Sequence, residues 1–103
     1  LEIKYIKEIE VLSSKFEVIW DKTMDGGSFD FSKCTITIGI KNVRKDPNYV
    51  LSVISHELME LILETMGARY LNGRSDYFVF NFDHRIFEVS ILAHMQAFSK
   101  FIK

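Results

Sequence analysis

The sequence predicts an α+β fold, a small and mostly antiparallel sheet packed against two helices, on three observations. Thr35–Ile40 alternates strictly, with Cys34, Ile36, Ile38 and Ile40 on one side and Thr35, Thr37 and Gly39 on the other. That is the period of a half-buried strand rich in β-branched residues. Asp46-Pro47 opens a long apolar run that stops at Gly67, the punctuation of a helix with an N-cap, proline at its first turn and glycine beyond its end. His84–Ile102 carries apolar residues at helical spacing behind Asp83, a second N-cap. Strands, helix, strand, helix is an α+β order.

The other elements follow from shorter signals. Tyr5–Leu12 and Lys15–Asp21 read as strands joined at Ser13-Ser14, the second with Phe16, Val18 and Trp20 on one face. Met24–Ser28, with paired glycines, reads as a turn, and Phe29-Asp30-Phe31 as a short extended lead into the Thr35 strand. The first helix should run over 47–66 and bury Val50, Leu51, Ile54, Leu58, Leu61 and Ile62. Asn72–Ser75 marks a turn, with Asp76 as a turn residue, before an aromatic strand Tyr77–Phe82. The last helix is expected to face inward through Phe87, Ile91, Met95, Phe98 and Ile102. Nothing divides residues 1–103, so one domain is expected.

Composition narrows the function. A chain of 103 residues, 48% of them hydrophobic, can build one core and is too apolar for disorder. Thirteen basic against fourteen acidic residues leave a net charge of -1, without the basic excess that binding nucleic acid or an anionic membrane surface calls for. His56, Glu57, Glu60 and Glu64 interrupt Val50–Met66, so no membrane span is expected. The N-terminus alternates charged and apolar residues, unlike a signal peptide, and its start at Leu1 predicts a few preceding residues. A lone Cys34 suits a reducing compartment, so the cytoplasm is the expected location. No nucleophile elbow or phosphate loop supports Cys34 or a serine as nucleophile.

Chemistry concentrates at His56-Glu57-Leu58-Met59-Glu60, one residue away from H-E-x-x-H. On a helix, His56 and Glu60 lie one turn apart on one face with Glu57 beside them, where they could hold one divalent metal, zinc first. Glu57 would serve as general base toward water. A third ligand has to come from elsewhere, and His84 is the choice. It opens the last helix, where the positive end of the dipole favours a neutral imidazole. His56, Glu60 and His84 would complete a His₂Glu set. Tyr49, Val53 and Leu63 lie among these polar residues and predict partial cover on that side of the helix.

The succession Gly27…Phe31, Thr35-Ile36-Thr37-Ile38, a short loop and Val53-Ile54-Ser55-His56-Glu57-Leu58 resembles the core of minimal zincin-type metallopeptidases. The resemblance covers roughly residues 15–70. It implies a zincin-like core, His56 as metal ligand, Glu57 as catalytic acid/base, and an edge strand, placed near Cys34–Ile40, that pairs with an extended peptide substrate. Glu60 departs from it, standing where that family has its second histidine, which changes both softness and charge at the metal.

Each reading has a plainer rival. The helix triad could be a solvated charged arc, and His84 an exposed residue near Asp83. Glu64 is a reserve ligand or solvated, and Glu88 a partner for His84 or a surface carboxylate. His94, beside Phe87, Ile91 and Phe98, reads as a satisfied core histidine. Tyr77, Phe78, Phe80 and Phe82 read as sheet core, unless one face of that strand meets a partner such as a second copy of the chain. The expectation is a zinc-dependent peptidase-like hydrolase, and the alternative is the same scaffold without catalysis, a binding or regulatory module.

Overall fold

The computed structural model describes residues 1–71 and 77–103. Strands β1 (Glu8–Val11), β2 (Ser14–Asp21), β3 (Gly27–Asp30) and β4 (Thr35–Gly39) precede helix α1 (Pro47–Thr65). Strands β5 (Arg69–Leu71) and β6 (Phe78–Phe80) and helix α2 (His84–Ser99) follow. The fold is α+β, as the sequence predicts. The turn expected at 72–75 and the role given to Asp76 lie outside the described residues.

The first four strands form one sheet in the order β1-β2-β4-β3. β1 and β2 make a hairpin whose tight turn is Leu12-Ser13, both at positive φ, one residue earlier than expected. The chain then passes over to lay β3 at the outside and turns back to insert β4 between β2 and β3. β4 is parallel to β2 and antiparallel to β3. Gly39 allows the crossing: a Cβ there would lie 2.3 Å from the Met24 carbonyl oxygen. The passing loop is bonded to the end of β4 by Gly39 N–H to Gly26 O at 2.7 Å and Lys41 N–H to Met24 O at 3.2 Å.

This topology corrects two expectations. β4 is an inner strand, so Cys34–Ile40 offers no open edge, and the edge beside α1 is β3. The Phe29–Phe31 piece belongs to that strand and its turn. Cys34 does not share the apolar face of β4. It is exposed at φ 53° in the turn, with its Sγ 3.7 Å from Phe31 O.

The core lies between the sheet and α1. Phe16, Val18, Ile36 and Ile38 meet Ile54, Leu58, Leu61 and Ile62, each at most 5% exposed. Burying each such side chain contributes about 1.5–3 kcal/mol. Asp46 caps α1 by accepting the Tyr49 N–H at 3.0 Å, and Gly67, at φ 73°, ends it. All six residues predicted for the inner face of α1 are buried. On its other side Leu63 and Glu57 are buried and Val53 half-buried, while Tyr49 is exposed, so the arc is covered around Val53–Leu63 and open at the start of the helix.

α2 departs most from expectation. Its buried residues are Ser90 and Ala97, whereas Phe87, Ile91 and Met95 are 46%, 38% and 63% exposed. Small side chains let the helix lie close to α1 and β1, and the bulky stripe beside them is left facing outward. Phe98 and Ile102 are only partly buried, and Phe101 takes the central position at 0% exposure. The aromatic strand is not sheet core either. β6 pairs with β5 apart from the main sheet, and Phe78, Phe80 and Phe82 are exposed. Among the described residues no helix is long and apolar enough to cross a membrane.

Candidate metal centre

α1 presents His56, Glu57 and Glu60 to one point. Each offers a ligand atom, and these atoms all lie within 4.8 Å of one another. His56 Nε2 is 3.1 Å from Glu60 Oε1, the i, i+4 contact expected from helix geometry. Two ligands at about 2.0–2.1 Å around a tetrahedral ion stand roughly 3.3 Å apart, so this pair is spaced for one ion without backbone movement. One imidazole and two carboxylates form a donor set that suits a borderline divalent cation. The residues present fit the group.

The three side chains sit in different surroundings. His56 is largely exposed, Glu60 mostly covered, and Glu57 buried at 7% exposure. Glu57 is covered because β3 comes close to α1 at Gly27. A Cβ on Gly27 would fall 2.9 Å from Glu57 Cγ and 2.8 Å from Val53 Cγ1. Burial raises the Glu57 carboxyl above its ordinary value, and the Glu60 charge raises it further, against the opposing pull of His56 and Arg69.

Arg69, the first residue of β5, closes the site from the other side. Its Nη2 is 3.5 Å from Glu60 Oε2 and its Nη1 is 3.2 Å from Glu64 Oε1. Its guanidinium carbon lies 3.6 Å from the Phe78 ring centroid and 5.1 Å from that of Phe29. Glu60 therefore turns one oxygen to His56 and the other to Arg69. Arg69 Nε is the one buried side-chain nitrogen or oxygen among the described residues that lacks a hydrogen-bond partner. Between this clamp and the β3 edge lies a cleft of about 530 Å³, lined by Gly27–Ser32 together with Glu57, Glu60, Glu64, Arg69 and Phe78.

His84 is not brought to this group. It is 82% exposed on the first turn of α2, with Nδ1 3.5 Å from Glu88 Oε1. The face of α2 that meets the rest of the molecule is set by Ser90 and Ala97, and His84 is turned away from it. The group among the described residues that could hold a metal ion is His56, Glu57 and Glu60, and it includes Glu57 rather than His84. Glu64, the reserve ligand, is engaged by Arg69. His94 is a satisfied histidine, its Nε2 2.8 Å from Ser55 Oγ and its ring stacked on Phe98 at 5.6 Å.

Arg69 is the residue that sequence reading missed. One signal was available: it is the only Lys or Arg between Lys45 and Arg74, and it follows a helix face carrying three glutamates. Comparison of the chain with protein-family models, curated proteins and solved structures gives no match.

Proposed function

We propose that this chain is a divalent-metal-binding domain of the zincin-like kind, a hydrolase acting on peptide or other amide bonds, with zinc as the first-choice ion. The observation that carries the reading is the convergence of His56, Glu57 and Glu60 beside an open strand edge. His56 and Glu60 would hold the ion, and when bound it supplies Lewis-acid polarisation of the scissile carbonyl. Glu57 then acts as general base. Its raised proton affinity brings a carboxylate nearer to the value that suits proton transfer at neutral pH.

An extended peptide fits the β3 edge. The Gly39 N–H to Gly26 O bond sets the ladder so that Ser28 and Asp30 turn their main-chain groups to β4. Those of Gly27 and Phe29 are left on the open side, next to Glu57, for pairing with an incoming strand. The reducing cytoplasm suits the exposed, unpaired Cys34.

A second reading, a metal-binding or regulatory module without catalysis, is favoured by one observation. The group offers three donors, and Arg69 already supplies a cation to Glu60. If Glu57 is needed as the third ligand, no carboxylate remains as base.

Calorimetric titration of chelator-treated protein with Zn²⁺ and with Mn²⁺ tests both readings. One ion per chain is expected, with a rise in Tm, because an ion that binds only the native state stabilises it. His56→Ala should abolish both effects. Cleavage of an unstructured protein that disappears in Glu57→Gln establishes the hydrolase, whereas binding without such cleavage establishes the module. Absence of stoichiometric binding overturns the metal site itself.

A further inference from the structure

A second cleft lies away from the metal centre, where β2 and β4 run out together. It has a volume of about 730 Å³, within the range of small-molecule sites. Its wall is apolar: Trp20 from the end of β2, Tyr5 from the N-terminal segment, and Ile40 and Val43 from the loop that leaves β4. The wall is also held in place. Trp20 Nε1–H donates to Ile6 O at 2.8 Å, and its ring meets Tyr5 edge-on at 4.8 Å and Phe101 at 6.0 Å.

The charged residues of the lining are all basic. Lys22, Lys41, Arg44 and Lys45 line the cleft, no acidic residue does, and none of the four forms an ion pair among the described residues. Three carboxylates stand next to the lining residues in the chain or in space, each held by hydrogen bonds and keeping its charge, and Asn42, the partner of Asp25, itself lines the cleft. Asp21 accepts from Thr23 N–H and Oγ–H at 2.8 and 2.7 Å, Asp25 accepts from Asn42 Nδ2 at 2.9 Å, and Asp46 caps α1. A molecule of net charge -1 thus gathers four of its thirteen Lys and Arg residues around one apolar hollow. Apolar walls with a few convergent charged groups are the usual construction of a ligand pocket. An uncharged guest would leave the four cations of the lining unused.

We infer that this cleft binds a small amphipathic anion, with a flat apolar or aromatic body against Trp20, Tyr5, Ile40 and Val43 and a phosphate or carboxylate among the four basic side chains. The site is separate from the metal centre, and neither depends on the other.

Trp20 is the only tryptophan, so its indole N–H gives a single cross-peak in a proton–nitrogen correlation spectrum and reports on the cleft directly. The 103-residue chain is titrated with 1-naphthyl phosphate, 1-naphthaleneacetate and the uncharged 1-naphthaleneethanol. The indole peak should move saturably with one or both anions, and which anion binds more tightly identifies the headgroup. Affinity for the better anion should exceed that for the alcohol about tenfold, the scale of a few exposed charge contacts acting together. The double variant Lys41→Glu/Arg44→Glu changes two exposed side chains and should lose that margin while keeping the remaining spectrum. No movement of the peak up to the solubility limit, equal affinity for the alcohol, or an unchanged margin in the double variant would each overturn the inference.

Discussion

Replacing Arg69 with methionine removes the charge and keeps most of the side-chain volume, so it isolates the clamp on Glu60 and Glu64. The guanidinium lies 3.6 Å from the Phe78 centroid, a contact worth about 1–2 kcal/mol when partly desolvated. Phe78 is 46% exposed, which places it at the lower end. The two ion pairs join a side chain at 9% exposure to carboxylates at 23% and 27%. They fall between exposed pairs, about 0–1 kcal/mol, and buried ones, where losing a partner costs about 3–5 kcal/mol. Because both carboxylates can turn to water, about 1–2 kcal/mol for the pairs together is appropriate. Against this, methionine also removes the unpartnered Nε, a gain of about 1 kcal/mol. The expected net loss is about 1–2 kcal/mol, or on the order of 10 °C in Tm for a chain of this size. Urea unfolding of metal-free protein measures it, and a cycle with Glu64→Gln should give a coupling of about 0.5–2 kcal/mol. A loss within about 0.5 kcal/mol, the range of an ordinary surface substitution, would refute the clamp.

Three further outcomes follow from the same structure. Glu57→Gln should stabilise the metal-free protein at neutral pH: the raised carboxyl of Glu57 resists ionising in the folded state, so wild-type stability falls as pH rises through that raised value. The two proteins should converge below the ordinary value of 4.5, and melting curves that stay parallel over pH 4–8 would contradict this. Gly39→Ala should cost more than about 3 kcal/mol, measured by urea unfolding, because its Cβ would meet backbone rather than a movable side chain. On α2, Met95→Ser should change stability by less than about 0.5 kcal/mol, whereas Ala97→Leu should cost about 1–3 kcal/mol by overpacking. The reverse ranking would show that the outward stripe is the true contact face.

What could be read from the chain was whatever its local chemistry determines. Asp46-Pro47 and Gly67 fixed the limits of α1, because caps act within a few residues. The alternation of β4 was visible, but its position was not, since pairing with β2 and β3 depends on a loop crossing that leaves only Gly39 as a trace. β5, three residues long, has no period to detect. On α2 the apolar arc is wider than the face that is buried, and the contact is made by Ser90 and Ala97, which carry little hydrophobic signal. Choosing the bulkiest stripe therefore pointed Met95 inward, when it faces outward, and His84 on the first turn of the same helix is exposed as well. At the candidate site, His56, Glu57 and Glu60 are set by helix spacing alone and were legible. Arg69 reaches them through a turn and a second sheet, which no spacing encodes.

The outward stripe of α2 also governs how the protein behaves at high concentration. Phe87, Ile91, Leu92 and Met95 give molecules a sticky side, and a net charge of -1 gives them little mutual repulsion. Near the isoelectric point of about 6.3 that repulsion vanishes, so light scattering should increase with concentration there and subside in buffers well above it.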